Sequence, residues 1–390
     1  MISTRRSLLK MGLAGLFMPH VQIALADDKQ KPSFESWRRD FEASVPERMK
    51  AAHIVGASVA ITTKDNAARY TAAFGFADLG KQRKLTTDTP MHLASVSKLF
   101  TVSALVQLFE RKGYDLNRDI NDFIDFKITN PNHPKIPITV KQLVTHTSSI
   151  SDEGYGEPSF PGDPTQSLPS FLKDYLVKGG STYSPKSFLK GKPGTKWDYS
   201  NVAIALVGYI VQHVSKQDFP TYVEANVLQP LGIRNAHWYL REFAPDVLAT
   251  PYQYEKGEFV ALPQQGYPDV PAGMLRCSAS DLAKALHAML GQETGSKAIL
   301  SRAAVRNMLR RQVDRKIYPY QGLCWTDEET ATHKVVGHTG SDNGALNMVA
   351  LTQDKSQAVA LLMNIDGTDE TRKFRASIVD DLLAGAKLAR

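Results

Sequence analysis

The stretch Ala94-Ser95-Val96-Ser97-Lys98-Leu99-Phe100-Thr101 reads S-x-x-K and opens a run that is apolar almost all round. Val96, Leu99, Phe100, Val102, Leu105, Val106, Leu108 and Phe109 predict a buried helix. Arg111 and Lys112 fall in its last turn, and Gly113 is placed to cap it. Residues three apart share a helix face, so Ser95 and Lys98 stack one turn apart. A serine hydroxyl needs a neighbouring base to act as a nucleophile at neutral pH. Lys98, pressed into an apolar helix, loses hydration, and its pKa falls toward useful base strength. Ser95 at the helix N-terminus meets free N–H groups and a dipole that favour developing negative charge. The pattern is short, however, and Ser95 as a plain N-cap with Lys98 on the surface accounts for it too.

Residues 1–26 read as an export signal and not as part of the fold. Thr4-Arg5-Arg6-Ser7-Leu8-Leu9-Lys10 precedes a short apolar run, Met11 to Met18, and then Ala24-Leu25-Ala26 ahead of Asp27-Asp28. The paired arginines resemble a twin-arginine signal, which implies export of a folded protein to the periplasm or beyond in a bacterium. An uncleaved anchor is the alternative, but Pro19, His20 and Gln22 break the apolar run. No cysteine follows it, and no other stretch reaches the ~18 apolar residues that span a bilayer. Cleavage after Ala26 removes three of the 47 basic residues and none of the 40 acidic ones, so the formal charge falls from +7 to +4. That charge is spread along the chain without a basic, aromatic-studded cluster, which gives no reason to expect nucleic acid. Cys277 and Cys324 form no zinc or redox spacing; two buried free thiols read better than a disulfide. No H-E-x-x-H or other metal-ligand spacing is present, so neither metal nor cofactor is expected.

Around the S-x-x-K helix, residues 33–53 predict an amphipathic helix on Phe34, Trp37, Phe41 and Met49, interrupted at Pro46. Residues 57–63 and 68–77 predict two strands joined by a turn at 64–67, and Met91-His92-Leu93 an extended lead-in to Ser95. From about 113 to 299 helical runs alternate with Pro/Gly-rich loops: a short helix after Thr139, an excursion over 151–196, a second buried helix from Val202 to Val214, and a helix over 282–290 behind the capping pattern Ser278-x-x-Asp281. Residues 333–336, 345–352 and 358–363 return to strand character, and 368–386 close as an amphipathic helix. The expected class is α/β. An antiparallel sheet flanked by helices is built from both chain ends, about 32–112 and 300–390. A mostly helical lobe, about 113–299, lies between them.

Two further patterns bear on chemistry. Tyr199-Ser200-Asn201 places a phenol and an amide two apart, just before the second buried helix; His338-Thr339-Gly340 enters the strand-rich segment. Each has a plain reading, as a helix cap or as a strand and turn. In this order, S-x-x-K, Y-x-N and H-T-G resemble the serine β-lactamase and penicillin-binding-protein superfamily. The likeness is to the branch holding class C β-lactamases, D-alanyl-D-alanine carboxypeptidases, D-amino-acid amidases and peptidases, and related esterases. It extends from about residue 50 to 390. Leu143-Val144-Thr145-His146-Thr147-Ser148-Ser149 looks like that branch's L-L-T-H-T-S-G, and Lys192-Pro193-Gly194-Thr195-Lys196 like its P-G-T turn. Gln229-Pro230-Leu231-Gly232-Ile233 is similar to E-P-L-G-M, and Pro271-Ala272-Gly273-Met274 to P-A-G-G.

The resemblance implies roles. Ser95 would be the acylated nucleophile, with Lys98 and Tyr199 sharing the proton work; which is the base stays open. A phenolate at Tyr199 would need a nearby cation, and Lys98 is the candidate. Asn201 would hold the substrate amide, and His338, Thr339 and Gly340 would form the edge strand beside the nucleophile. The backbone N–H groups of Ser95 and Ser341 would make the oxyanion hole. Ser341-Asp342-Asn343 spells S-D-N, the second motif of other branches, but its place after H-T-G makes it a turn in which Ser341 matters through its N–H. Ser149, Met274 and Cys324 stand where the family commonly has glycine, which puts local loop shape in question.

The expected activity is an acyl-enzyme hydrolysis of a small-molecule or peptide amide or ester, carboxypeptidase-, peptidase- or esterase-like. H-T-G resembles the peptidase-type members more than the K-T-G of class C β-lactamases, whose permanent cation suits a carboxylate. His338, with a reference pKa near 6.5, would gain charge as pH falls toward 6 and then favour anionic substrates; the alternative is that a hydrogen bond holds it neutral and it only positions Thr339. A β-lactamase is the alternative. A non-catalytic binding protein on the same fold is the alternative from another class, though binding alone needs neither Lys98 nor Tyr199.

Overall fold

The computed structural model describes residues 33–156, 158–291 and 298–389; the expected export signal lies outside these described residues. Seven antiparallel strands make the main sheet, in the order Thr326–Glu329, Lys334–Asp342, Ala345–Leu351, Gln357–Met363, Gly56–Thr63, Tyr70–Asp78, Arg83–Lys84. The chain's two ends meet where Gly56–Thr63 runs along Gln357–Met363, with Val59 opposite Leu361. The fold is the α/β arrangement expected, an antiparallel sheet flanked by helices.

Side chains alternate across a strand with period two, and here they divide into two cores. Val59, Ile61, Leu361 and Met363 pack with Phe41, Val45 and Met49 of the helix Phe34–Ala51 and with Phe374, Ile378 and Leu382 of the helix Asp369–Leu388. Ala60, Ala360 and Leu362 face the opposite way, toward Leu282 and Leu286 of the helix Ala279–Met289 and the rest of the larger core. The interruption expected at Pro46 does not occur: the helix runs through it. Proline costs a helix one N–H bond, yet Pro46 sits on the exposed face while Phe41, Val45 and Met49 hold the other. Arg48 ties the two outer helices together, 2.7 Å from Asp381.

At the centre of the larger core lie two helices, Lys98–Lys112 and Asn201–Ser215, both lined with fully buried residues. Gly113 ends the first in the left-handed conformation, φ +67°, which glycine adopts without strain. The lobe expected to be mostly helical, about 113–299, also carries short strands. Met91–His92 pairs with Arg276–Cys277, Phe160–Pro161 with Gln265–Gly266, and Tyr252–Glu255 with Glu258–Ala261. The first pairing matters most, because it fixes the strand that leads into Ser95. Cys277 and Cys324 are both buried free thiols.

Candidate active site

Ser95 does not lie on the α-helix itself. A 3₁₀ turn, Ala94–Ser97, carries it, and the α-helix begins at Lys98. In a 3₁₀ turn residues i and i+3 eclipse, so the stacking expected of Ser95 and Lys98 survives the change. Ala94 has φ +47°, an uncommon state for a residue with a Cβ, and makes the bend between strand and helix sharp.

Lys98 is fully buried, and its Nζ donates to Ser95 Oγ at 2.9 Å and to the Ala272 carbonyl at 2.6 Å. Burial lowers its pKa to about 8, with Cys324, Asp269 and Asp152 opposing the shift. The stretch Pro271-Ala272-Gly273-Met274 is fastened to the same helix: Thr101 Oγ1 donates to the Pro271 carbonyl at 2.7 Å, and Ser97 Oγ accepts from Leu275 N at 3.2 Å. Position and basicity of the amine are therefore set by one bracket of backbone.

Tyr199 and Asn201 flank the start of the helix Asn201–Ser215, whose N-cap is Ser200. Asp152 secures this end. Its carboxylate accepts from Ser200 Oγ at 2.7 Å and from the backbone N–H groups of Asn201 at 2.5 Å and Val202 at 3.2 Å. A free helix N-terminus is thus satisfied by a side chain from a distant loop. His146 packs against Tyr199 with the rings tilted by 31° and their centroids 4.5 Å apart, and its Nδ1 accepts from Ser200 N at 3.3 Å. Burial holds His146 neutral, and its Nε2 has no hydrogen-bond partner among the described residues.

Lys98 Nζ stands 5.0 Å from the Tyr199 ring centroid. The phenolate considered from the sequence is nonetheless disfavoured. Burial drives the Tyr199 pKa well above its ordinary value, and a contact with Ser95 only partly opposes this. The resting tyrosine is a neutral phenol.

The strand Lys334–Asp342 brings His338, Thr339, Gly340 and Ser341 beside the serine turn. A Cβ on Gly340 would fall 2.3 Å from the Leu93 carbonyl and 3.3 Å from Val96 N, so only glycine lets strand and turn approach this closely. Thr339 N donates to Glu328 at 3.1 Å. Successive strand N–H groups point to opposite edges, so that of Ser341 faces the same edge as that of Thr339. The flanking strand pairs only with residues 334–337, which leaves this edge uncovered at Ser341.

The surroundings of His338 favour the neutral alternative over a cation that switches on near pH 6. His338 is buried, and its Nδ1 lies 2.6 Å from the Thr339 carbonyl. Desolvation, with the nearby Lys98 charge, lowers its pKa to about 4. His338, Thr339 and Gly340 are not among the residues that line the cavity beside Ser95. The wall is made in part by Ser341, Asp342 and Asn343 from the same strand and its turn.

The cavity itself has a volume of about 370 Å³ and is lined by Ser95, Asn201 and Ser341, together with Tyr155, Tyr267 and Asp269. Asp152, Tyr155 and Asp269 carry no sequence signal, because each is isolated in the chain; His146 lies in the Leu143-to-Ser149 stretch, which the resemblance marks without giving this residue a role. Where this chain lacks the glycine common in the family pattern, the backbone keeps a left-handed conformation at two positions. Ser149 has φ +65° and accepts from Asn130 Nδ2 at 2.9 Å, and Cys324 has φ +62° with its N–H on the Val144 carbonyl at 2.8 Å. Met274 is simply buried. No group of three or more metal-ligating side chains occurs among the described residues. None of their helices is long and apolar enough to cross a membrane.

A buried amine on a serine in a deep cleft suits acyl transfer, and comparison with known proteins agrees. The sequence matches the Beta-lactamase family over residues 41–384, and the chain belongs to that family. It is similar to Protein flp of Staphylococcus aureus (strain MW2), 22% identical over 330 residues, which cover 84% of this chain and 63% of that protein. The chain thus spans under two thirds of the length of that curated relative. Esterase EstB of Burkholderia gladioli is 27% identical over 277 residues, 64% of this chain and 69% of the esterase. Among solved structures, the octameric penicillin-binding protein homologue from Pyrococcus abyssi superposes with a TM-score of 0.69 at 24% identity, over 90% of this chain and 77% of that one.

Proposed function

We propose that this enzyme hydrolyses an amide or ester of a small molecule or peptide through an acyl group carried on Ser95. The observation that carries the reading is the fully buried Lys98 with its Nζ 2.9 Å from Ser95 Oγ. With a pKa of about 8, Lys98 is neutral in roughly a tenth of molecules at pH 7. That form accepts the Ser95 proton as Oγ bonds to the substrate carbonyl carbon. The carbonyl oxygen takes up negative charge between the N–H groups of Ser95 and Ser341. Tyr199, a neutral phenol, passes a proton to the departing amine or alkoxide and regains one from Lys98. The C–N or C–O bond breaks and leaves the acyl-serine. Water then attacks the acyl carbon by the same steps in reverse, giving the carboxylic acid and restoring Ser95. Asn201 is assigned to the substrate's amide oxygen or nitrogen.

Within the family we place the activity with peptidases and esterases and not with β-lactamases. His338 supports this, since a neutral imidazole facing Thr339 offers no fixed positive charge to a substrate carboxylate. The esterase among its relatives points the same way. We further propose export by the twin-arginine route to the periplasm or beyond, on the strength of Arg5, Arg6 and the Ala24-Leu25-Ala26 site. Intact mass after incubation with a fluorophosphonate, and separately with a penicillin, tests the catalytic reading. A fluorophosphonate adduct that vanishes in Ser95→Ala is expected. An adduct that persists in that variant would refute the assignment, and rapid turnover of the penicillin would favour the β-lactamase.

A further inference from the structure

We propose that the cavity beside Ser95 selects substrates carrying a primary ammonium group, which Asp269 and Asp342 receive; the proposal rests on the hydrolase reading above and names its substrate class. Both carboxylates line the cavity, and among the described residues no lysine, arginine or histidine does. Asp269 is only 4% exposed, yet it forms no ion pair among the described residues. Tyr155 OH donates to its Oδ1. The nearby cation, Lys98, already spends its amine on Ser95 Oγ and the Ala272 carbonyl. Asp342 is no better compensated. Its Oδ1 accepts from Asn343 N at 2.7 Å and it shares a hydrogen bond with Tyr267; the Arg276 and Lys98 charges act on it without a salt bridge, and the basic group within 4 Å is His92, 3.9 Å away, which burial and Arg276 hold neutral. Arg276 donates instead to the Met274 and Gln265 carbonyls.

Two carboxylates without a salt bridge facing one cavity, Asp269 buried and Asp342 partly so, are costly unless something supplies further positive charge. Their acidity records that cost: burial raises Asp342, and it pushes Asp269 up to about 7. A ligand ammonium would supply what the protein withholds. Its three N–H donors match carboxylate oxygens, and it is compact enough for a cavity of about 370 Å³. A substrate carboxylate in the same place would meet like charge. The selectivity is therefore opposite to the anionic preference that a protonated His338 would have given.

Three p-nitrophenyl esters test this, with flexible acyl chains of matched length ending in an ammonium, a methyl or a carboxylate: 6-aminohexanoate, heptanoate and adipate. kcat/KM is compared at pH 7.5 and low ionic strength, and each ratio is taken within one protein, so that any change at Lys98 cancels. The ammonium ester should be preferred over the methyl ester by at least about tenfold, with the carboxylate ester slowest. Asp269→Asn and Asp342→Asn should each cut that preference severalfold, and the double variant should bring it near one. A wild-type ratio near one, or a ratio untouched in the double variant, overturns the proposal. Ser95→Ala separates the two readings. If it leaves ester turnover intact, the hydrolase assignment fails, whatever the ratios. If wild type turns over none of the esters, calorimetric titration of the Ser95→Ala chain with 6-aminohexanamide and with hexanamide decides. Binding of the amine alone upholds the inference, and equal or absent binding refutes it.

Discussion

Lys98 Nζ and Ser95 Oγ lie 2.9 Å apart, and the lysine that makes this contact has no exposed surface. The two facts act together. Burial lowers the lysine's pKa to about 8, and the contact directs the resulting lone pair at the nucleophile. kcat/KM for a neutral ester should therefore rise with pH and level off above about 8. Replacing Lys98 by methionine should abolish turnover, and replacing Lys98 and Tyr199 together should cost little more than replacing either, because groups that act as a unit do not add. A pH–rate profile flat from 6 to 9 would remove the lysine from the proton path.

The same burial predicts a stability gain when function is removed. A lysine that must carry its charge in a buried site penalises folding in full below its folded pKa, and the penalty fades as pH rises from about 8 toward 10.5. A shift of that size corresponds to about 3 kcal/mol at pH 7, less whatever the bonds to Ser95 and Ala272 return. Lys98→Met should thus unfold a few degrees higher than wild type at pH 7, and the difference should shrink at pH 10. Thermal denaturation at the two pH values checks both halves.

Asp152 holds the end of the helix that presents Tyr199 and Asn201, through one hydroxyl and two backbone N–H groups. Asp152→Ala leaves those donors unsatisfied. The expected loss is about 1–3 kcal/mol of stability in urea unfolding. kcat should fall further than that loss explains, since both side chains lose their anchor. Unchanged kcat in a folded Asp152→Ala protein would limit the residue to a structural cap.

Asp152 also marks the boundary of what the sequence conveys. S-x-x-K, Y-x-N and H-T-G are legible because each packs chemistry-bearing residues into one turn or one strand, where spacing alone sets geometry. The sheet is legible for a similar reason: strands such as Gly56–Thr63 and Gln357–Met363 are long apolar runs. Asp152, Asp269 and Tyr155 meet the site only after the chain has folded, from loops whose paths no local pattern encodes. Pro46 was misleading because a breaker's effect depends on which face it occupies, and that face is set by packing. His338 left two readings open because its charge depends on burial, and residue type reports only the reference pKa.

Gly340 offers a steric test of how strand and serine turn fit. Its missing Cβ would lie 2.3 Å from the Leu93 carbonyl, which is backbone and cannot rotate away. Gly340→Ala must push the strand from the turn and move Ser341 N–H relative to Ser95. We expect a folded protein with kcat reduced at least about a hundredfold, the scale of losing one oxyanion donor. KM should change far less. An alanine variant of normal kcat would show that the oxyanion donors lie elsewhere.

His338 supplies the acid limb of stability instead of a substrate cation. Its folded pKa of about 4 lies below the 6.5 of an exposed histidine, so the unfolded chain binds the extra proton first. Stability should fall as pH drops from about 6.5 to 4 and cease to depend on this residue below that. The full shift is worth about 3 kcal/mol. His92 and His146 are also buried and held neutral, so the measured slope is shared among them. His338→Gln keeps a polar side chain without the proton, and should flatten part of that limb while leaving stability at pH 8 within about 1 kcal/mol. His338→Lys is the sharper variant. It places a second amine near Lys98, in a site with no carboxylate bonded to His338. It should cost several kcal/mol or depress the Lys98 pKa further, and it should not improve carboxylate substrates. Urea unfolding from pH 4.5 to 8 and the nuclear magnetic resonance titration of the His338 ring measure the two sides of this account. A ring midpoint near 6.5, with stability flat across the same range, would contradict it.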